Sequence, residues 1–348
     1  MNEFNERFEG LSPPQKQERY LRLAQACLRH YPEIDGEITF VAHNAGVVYR
    51  VESAQGKYLL KIAQATGEGE IQTLPTPIKS GFIWLDAIAR ETDLTVQRPV
   101  ANRQGEFVTA VDIEDLSQPF YCTLQDWLEG EHPRNPTPKH AYQIGAMMAQ
   151  IHLHGSGWIQ GKMLEAWTYD EAGSQENFER FAKVKTLAIL SDAGWANVEK
   201  AVERMLQVMQ RLGREPHVWG PIHGDIHHAN LLIVDGKMCP IDFSGLVLGH
   251  YTYDVGVTLY HFMYLDAATR QALIKGYQSK RELFGLLPID LEAFLCATAL
   301  ANLAFNVELP DQRTSALFIR NVREFADVFC NKFIHDIPFA LEDYEYIR

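Results

Sequence analysis

The stretch that decides the fold is residues 222–245, IHGDIHHANLLIVDGKMCPIDFSG. Within it, two apolar runs, Leu231–Val234 and residues 237–241, flank the dipeptide Asp235-Gly236. An Asp-Gly pair between two apolar runs is typical of a β-hairpin with a two-residue turn, because both turn positions need a positive φ. The sequence therefore predicts a short antiparallel hairpin here.

The predicted hairpin places two oxygen-bearing side chains side by side. With the turn centred between Asp235 and Gly236, Asn230 lies opposite Ile241, one position from Asp242. Paired strands are about 4.8 Å apart, so an amide oxygen and a carboxylate converge at the open end of the hairpin. Such oxygen ligands suit Mg²⁺, which takes few protein ligands and completes its shell with water and phosphate. Asp225 lies on the loop that leads into the same site.

The loop before the hairpin carries a family motif. The run HGDIHHAN at residues 223–230 fits H-x-D-x-x-x-x-N, and the following DFS at residues 242–244 fits the metal-binding DFG position. The chain thus resembles the protein-kinase-like enzymes, and within them the aminoglycoside phosphotransferase and choline kinase branch. The resemblance implies an α+β fold with a small β-rich N-lobe and a larger, mainly helical C-lobe.

The resemblance extends to the nucleotide-binding half of the chain. Lys61 stands where the family has the third-strand lysine that holds the α- and β-phosphates of ATP. Residues 43–47 resemble the loop that covers the nucleotide, although they contain one glycine instead of several. Residues 120–131 resemble the hinge, where the adenine edge meets the backbone of Gln125, Asp126 and Trp127.

Each residue of the motif inherits a role from the resemblance. Asp225 would orient or deprotonate the acceptor hydroxyl, and Asn230 and Asp242 would hold Mg²⁺. His227 stands where many protein kinases place a lysine, so it would touch the γ-phosphate or the acceptor. His223 would pack under the loop and fix its backbone. At the start of the next helix, Asp254 would act as N-cap and loop anchor.

One departure from the family concerns the partner of Lys61. Related phosphotransferases carry a Glu about three residues before the Trp-Leu of the small-lobe helix, and that Glu pairs with the lysine. Here residues 79–83 before Trp84 read KSGFI and contain no acid. Four acids could substitute, and spacing does not choose among them: Glu68, Glu70, Asp86 and Glu91.

The periodicity of the chain predicts its organisation. Residues 1–35 form a helical extension with an amphipathic helix at 14–29. Residues 36–127 form the N-lobe, in which strands at 37–62, a strand pair at 99–109 and a strand at 119–127 accompany one helix. Residues 128–348 form the larger, mainly helical C-lobe, to which the resemblance assigns the catalytic loop, the metal site and the acceptor pocket.

Composition excludes several classes of protein. The net charge of −13 argues against a nucleic-acid partner, because a phosphate backbone favours a basic surface. The most apolar run, residues 291–307, contains Glu292 and two asparagines, which indicates a buried core helix and not a membrane span. The first ten residues lack the pattern of a secretory signal, and five widely spaced cysteines predict no disulfide framework. We therefore expect a cytoplasmic protein.

Three other interpretations remain open. His223, His227 and His228 with Asp225 could bind zinc or iron, but Gly224 argues against the helix that would align them. A protein Ser/Thr kinase is disfavoured because no A-P-E-like segment follows Asp242. The absence of the acid before Trp84 suggests a nucleotide-binding pseudoenzyme. The intact set of Asp225, Asn230 and Asp242 argues against it.

The identity of the acceptor is not legible, but its charge can be predicted. The chain is acidic overall, and acids flank the expected cleft at Asp126, Glu129, Glu131, Glu308 and Asp311. A cleft lined by one sign of charge concentrates a ligand of the other sign. We therefore predict a small hydroxyl acceptor that carries an amino group, an amino alcohol or an aminoglycoside-like compound. The sequence does not choose between ATP and GTP and predicts no oligomeric state.

Overall fold

The structure, a computed structural model, describes residues 11–43, 46–63, 76–111, 120–159, 162–243, 245–283, 289–309 and 311–341. The chain divides into two compact units. The first contains residues up to Glu129 together with Phe243–Leu246, and the second contains Gly130–Asp242 and Val247–Arg348. The first unit is rich in strands and the second is mainly helical, so the predicted α+β class is confirmed.

The first unit is built on one antiparallel sheet with the strand order β1-β2-β3-β5-β4. The predicted hairpins between residues 36 and 63 are confirmed, because β2 pairs with both β1 and β3. The elements of this unit are α1 (Pro13–Leu28), β1 (Gly36–His43), β2 (Gly46–Ser53), β3 (Gly56–Ala63), α2 (Thr76–Glu91), β4 (Val108–Val111) and β5 (Phe120–Asp126).

Helix α1 covers one face of this sheet. Its apolar side chains at i, i+3, i+4 and i+7 are buried: Tyr20, Leu23, Ala24 and Cys27. They form one cluster with the inward residues of β2, β3 and β5. This packing of its apolar face against the sheet stabilises the helix. The amphipathic helix predicted near the amino terminus is therefore confirmed.

The strand pair predicted at residues 99–109 is wrong in its first half. Only Val108–Val111 forms a strand there, and Pro99 makes an isolated bridge to Gln125. Asn102 is the physical reason, since its Oδ1 accepts the backbone N–H groups of Gln104 and Glu106, each at 3.0 Å. A side chain that takes up backbone donors in this way competes with a strand ladder.

Helix α2 packs against Phe243–Leu246, the segment directly after Asp242. A Cβ at Gly81 would overlap the backbone of Gly245, and the N–H of Leu246 donates to Pro77 O at 2.7 Å. The ring of Phe243 meets Trp84 edge to face, with centroids 5.9 Å apart. Phe243–Leu246 is thus held by the helix of the first unit.

The second unit combines helices with two small sheets. A three-stranded sheet has the order β6-β10-β7, and β8 pairs with β9 alone. The strands are β6 (Trp167–Tyr169), β7 (Trp219–Ile222), β8 (Leu231–Val234), β9 (Lys237–Pro240) and β10 (Val247–His250). The helices are α3 (Pro138–Trp158), α4 (Glu171–Phe181), α5 (Asp192–Leu212), α6 (Tyr251–His261), α7 (Ala267–Gln278), α8 (Asp290–Val307), α9 (Ala316–Glu324) and α10 (Asn331–Ile334).

The decisive hairpin forms in the predicted register. Leu231 faces Pro240 and Val234 faces Lys237. Asp235 has φ 50° and Gly236 has φ 76°, the two left-handed positions of a type I′ turn. The Asp-Gly turn was therefore sufficient to predict which residues of the two strands pair.

Helix α8 occupies the core of the second unit. Among the described residues it is the one helix whose length and composition would suit a membrane span, yet 78% of it is buried inside the protein. Its Glu292 is buried and accepts the N–H groups of Phe339 and Ala340 at 2.7 and 3.1 Å. The prediction of a buried core helix for this run is confirmed.

Helices α3 and α7 approach each other closely because glycines face the contact. A Cβ at Gly145 would overlap Leu273 O, and one at Gly276 would overlap Tyr142 O. These two helices carry His152 and Tyr277. Their separation therefore fixes the distance between two side chains that support the site.

We predict that Gly145→Ala lowers the midpoint of thermal unfolding. The added methyl group cannot fit without moving α7, and such overpacking costs about 1–3 kcal/mol. Gly157→Ala in the same helix is the matched control, because nothing lies within 4 Å of a Cβ there. The control should gain up to about 1 kcal/mol from helix propensity. Equal melting curves for the two variants would contradict the packing described.

Candidate active site

The site is organised around one buried carboxylate, that of Asp254. Its side chain is fully buried, and its Oδ1 accepts the N–H of Gly224 at 2.6 Å while its Oδ2 accepts the N–H of His223 at 2.9 Å. Oδ2 also lies 2.9 Å from Nε2 of His152. The predicted loop-anchoring role is thus borne out by the geometry. The predicted N-cap role is wrong, since α6 begins at Tyr251 and His250 is its N-cap residue.

The protonation of this buried group is set by a chain of hydrogen bonds. Burial alone would raise the pKa of Asp254, but the hydrogen bonds from His152 and His223 outweigh it and lower that pKa. Burial also lowers the pKa of His152, which keeps its ring neutral. Tyr277 stays protonated because burial raises its pKa, so its hydroxyl donates to Nδ1 of His152 at 2.9 Å. A neutral His152 then donates from Nε2 to an ionised Asp254.

His223 links the two motif segments, in the role predicted for it. Its ring is buried, and its Nε2 lies 3.0 Å from the carbonyl oxygen of Ile241, the residue before Asp242. The N–H of Asp225 donates to its Nδ1 at 3.3 Å. With Nδ1 as acceptor, Nε2 carries the proton and donates to Ile241. The backbone of the loop at residues 223–225 is therefore tied to the backbone beside Asp242.

Gly224 gives the loop its bend. Its φ of +82° favours glycine, and a Cβ there would lie 3.1 Å from the ring of Tyr169. Further along the loop, the hydroxyl of Thr258 donates to Ile226 O at 2.9 Å. The loop is thus held by backbone contacts on both sides of Asp225.

The Asp225 carboxylate is presented at the surface of this rigid loop. Its side chain is 60% exposed, and its Oδ2 accepts a hydrogen bond from Asn230 Nδ2 at 2.9 Å. The same amide nitrogen donates to Asp225 O at 3.0 Å. His227 Nε2 lies 3.4 Å from Oδ1 of Asp225 and 3.3 Å from Asn230 Nδ2. The structure therefore brings together three of the residues singled out in the sequence.

The donor set at the open end of the hairpin suits a hard divalent cation. The N–H of Ile241 donates to Asn230 O at 3.0 Å, which places Asn230 next to the residue that precedes Asp242. Because the Asn230 amide nitrogen is engaged with Asp225, its Oδ1 is the atom left for a cation. The exposed Asp242 has φ 62°, a left-handed conformation that aspartate tolerates. Amide and carboxylate oxygens are the ligands that Mg²⁺ prefers.

Lys61 lies at the centre of the sheet of the first unit. On β3 its Cα faces Val48 on one side and Thr123 on the other. Gly46 passes beside it, since a Cβ at that position would lie 3.5 Å from Lys61 Cε. Of the candidate acidic partners, Asp86 and Glu91 both lie against Arg90, at 2.8 and 4.0 Å. Glu68 and Glu70 lie outside the described residues, as do Asn44, Ala45 and Ser244 of the motif segments.

The predicted hinge residues form the end of β5 and the residue after it. Gln125 is buried and its amide nitrogen donates to Gln97 O at 3.3 Å. The N–H of Asp126 donates to Arg98 O at 2.9 Å, and that of Trp127 donates to Lys57 O at 3.0 Å. Two of the backbone donors assigned to the adenine are therefore engaged within the first unit.

Sequence reasoning missed His261, which the structure adds to the loop. Its ring, in the last turn of α6, lies 4.7 Å from that of His227. Burial lowers the pKa of His261 to about 4. The signal was its spacing: Asp254, Thr258 and His261 stand at i, i+4 and i+7 on one helix face. His223, which the zinc or iron alternative grouped with His227 and His228, instead hydrogen-bonds through Nε2 to the carbonyl oxygen of Ile241.

Similarity to known proteins shows the family to which this chain belongs. The sequence model described as "Phosphotransferase enzyme family" matches residues 37–288, so the chain belongs to that family. The resemblance inferred from the motif is confirmed. Among curated proteins, the chain is 25% identical to a homoserine kinase from Xanthobacter autotrophicus over 247 residues, which covers 68% of this chain and 69% of the relative. A homoserine kinase from Neisseria meningitidis is 22% identical over 244 residues, 68% of this chain and 70% of that protein.

Solved structures share the fold at low identity. A microcompartment-associated aminopropanol kinase superposes with a TM-score of 0.73 at 21% identity, covering 91% of this chain and 98% of that one. An amicoumacin kinase in complex with AMP-PNP and Ca²⁺ gives 0.68 at 17% identity, with 93% and 97% covered. A spectinomycin phosphotransferase in complex with ADP gives 0.59 at 12% identity, with 90% and 97% covered. The predicted fold is confirmed by these likenesses.

We predict that protonation of His152 destabilises the protein in mild acid. An unfolded histidine takes up a proton below about pH 6.5, whereas the folded ring resists it, so this contribution is complete above that pH and is lost below it. The free energy of unfolding should fall by up to about 1.4 kcal/mol per pH unit for this one group. The groups facing it are Asp254, Tyr251, Tyr277, Arg281 and His223.

Urea titrations between pH 7.5 and 5 measure this slope. His152→Gln should be less stable at neutral pH and should lose less stability as the pH falls. His335→Gln, at an exposed position, should reproduce the wild-type curve. A wild-type slope that His152→Gln leaves unchanged would show that the buried ring is not the group that titrates.

Proposed function

We propose that this chain transfers the γ-phosphoryl group of ATP, with Mg²⁺, to a hydroxyl group of a small acceptor that carries an amino group. The observation that carries the proposal is the exposed Asp225 carboxylate on a loop whose backbone is fixed from below by Asp254. A rigid loop with a solvent-accessible carboxylate can align a hydroxyl for attack. In phosphoryl transfer such positioning supplies most of the protein's contribution.

Asp225 would act on the acceptor hydroxyl. One carboxylate oxygen is oriented by Asn230 at 2.9 Å, and the other faces His227 at the longer distance of 3.4 Å. The hydroxyl would donate to this carboxylate, its oxygen would bond to the γ-phosphorus, and the bond to the β,γ-bridging oxygen would break to release ADP. The acceptor proton would pass to the Asp225 carboxylate, and this exposed carboxyl group would then release it to solvent.

The remaining roles concern charge on the phosphates. A divalent cation held by Asn230 and Asp242 would neutralise phosphate charge, and we propose Mg²⁺ because both ligands are oxygens. Lys61 would contact the α- and β-phosphates. Because the N–H groups of Asp126 and Trp127 already have partners, we propose that the adenine edge meets the backbone one residue further on, at Leu128.

The amino group of the acceptor is supported by charge and by the relatives. The chain carries a net charge of −13, and homoserine and aminopropanol, named in two of the similar proteins, both carry a hydroxyl group and an amino group. Two of the acids that motivated this idea are paired with lysines, Glu129 with Lys57 and Glu308 with Lys183, each at 2.6 Å. The relatives are therefore the stronger support.

The cellular compartment is also a proposal. All five cysteines are buried free thiols, which supports a reducing compartment such as the cytoplasm. None of the five lies among the residues proposed for the site.

The test is ATP turnover with matched pairs of acceptors. Homoserine should be compared with 4-hydroxybutyrate, and 1-amino-2-propanol with 2-propanol, because each pair differs only in the amino group. We predict that the amine gives a kcat/KM at least about tenfold higher, a difference of about 1.4 kcal/mol. Better turnover of the member that lacks the amine, in both pairs, would remove the amino group from the proposal.

Asp225→Asn separates catalysis from binding. With the best acceptor, kcat should drop by about 100-fold or more because the group that aligns the hydroxyl is lost, while ATP affinity and the unfolding midpoint stay near wild type. Asp235→Asn is the matched control, since it makes the same charge change in the exposed hairpin turn, where asparagine is favoured. A kcat in Asp225→Asn that stays close to the wild-type value would refute the catalytic role.

A further inference from the structure

Three metal-ligating side chains of different origin meet beside the catalytic loop. Asp225 and His227 belong to the loop, whereas His261 comes from the last turn of α6. One ligand atom from each lies within 4.8 Å of the others. Of the groups of three or more such side chains in the described part of the chain, this is the one that the geometry brings together.

Two imidazoles and one carboxylate form a ligand set suited to zinc and its neighbours. Catalytic zinc sites commonly use three protein ligands of this kind and keep one position open. Ligand atoms about 2.0–2.2 Å from a tetrahedral zinc lie roughly 3.4 Å apart. The most distant pair of ligand atoms would therefore close by up to about 1.4 Å, which the exposed Asp225 and the half-buried His227 permit.

We propose that Asp225, His227 and His261 bind a first-row transition-metal ion, with Zn²⁺ as the best-fitting species. The site is chemically distinct from the oxygen pair Asn230 and Asp242. Nitrogen ligands favour zinc over magnesium, whereas carboxylate and amide oxygens favour magnesium.

Little existing bonding opposes this closure. The ring nitrogens of His227 make three long contacts: 3.2 Å from the N–H of Ala229, 3.3 Å from Asn230 Nδ2 and 3.4 Å from Asp225 Oδ1. All exceed the usual hydrogen-bond length of about 2.9–3.0 Å.

Occupancy of this site has a functional consequence, which rests on the proposed function. The ion would take the Asp225 oxygen that the acceptor hydroxyl needs. Zinc and acceptor would then exclude each other, and zinc would inhibit by raising the acceptor KM while leaving kcat nearly unchanged. The site would make phosphoryl transfer sensitive to free transition-metal ions.

Metal binding is tested first, without nucleotide or acceptor, so that it does not depend on finding the substrate. Chelator-treated full-length protein is titrated with Zn²⁺ by calorimetry and with Co²⁺ by visible absorption. We expect one ion per chain and Co²⁺ bands typical of four-coordinate nitrogen and oxygen ligands. His261→Gln should weaken binding at least about tenfold, the lower end of what losing even an outer-shell partner costs.

Two further variants make the result specific. His227→Gln, at a half-buried loop position, should weaken binding as much as His261→Gln and covers the case in which the latter misfolds. His228→Gln is the control, since it removes a neighbouring imidazole outside the three-ligand set and should bind like wild type. Equal affinity of wild type and both ligand variants, or loss in His228→Gln alone, would overturn the proposal.

The inhibition arm separates this proposal from the proposed function. If turnover is found, Zn²⁺ should compete with the acceptor in wild type and much less in His261→Gln. Binding of zinc without turnover of any acceptor would count against the proposed function and leave the metal site standing. Turnover that is insensitive to zinc at concentrations that saturate the site would overturn the link between metal and Asp225.

Discussion

The rest of the site depends on the hydrogen bonds that the buried carboxylate of Asp254 accepts. A charge with no exposure to water is costly unless it is fully hydrogen-bonded, and here it is satisfied by two backbone N–H groups and by His152. Those backbone groups belong to His223 and Gly224, directly before Asp225. Because the buried Asp254 carboxylate needs these hydrogen bonds, it fixes the backbone that carries the exposed Asp225 carboxylate.

One face of helix α6 carries this organisation along the loop. Asp254 holds the loop at residues 223 and 224, Thr258 holds the carbonyl of Ile226, and His261 packs on His227. Successive turns of the helix therefore meet successive residues of the loop. Behind Asp254, His152 and Tyr277 continue the hydrogen-bond chain into α3 and α7, whose close approach depends on glycine.

What could be predicted from the sequence was the part encoded locally. The Asp-Gly turn set the hairpin register, and that register placed Asn230 beside Ile241, the residue before Asp242, because turn chemistry and strand pairing act over a few residues. The roles of His152, Tyr277 and His261 could not be read in this way, since they come from three helices distant in the sequence. Asn102 shows the converse case, in which one side chain replaced a predicted strand by a turn.

The most direct measurement of the central claim is amide hydrogen exchange at His223 and Gly224. Exchange should be compared in wild type, in Asp254→Asn and in Asp266→Asn, which makes the same charge change at an N-cap where asparagine serves equally well. We predict that protection of both amides falls by about tenfold or more in Asp254→Asn and stays unchanged in Asp266→Asn. Unchanged protection of these two amides in Asp254→Asn would contradict the claim that this carboxylate holds the loop before Asp225.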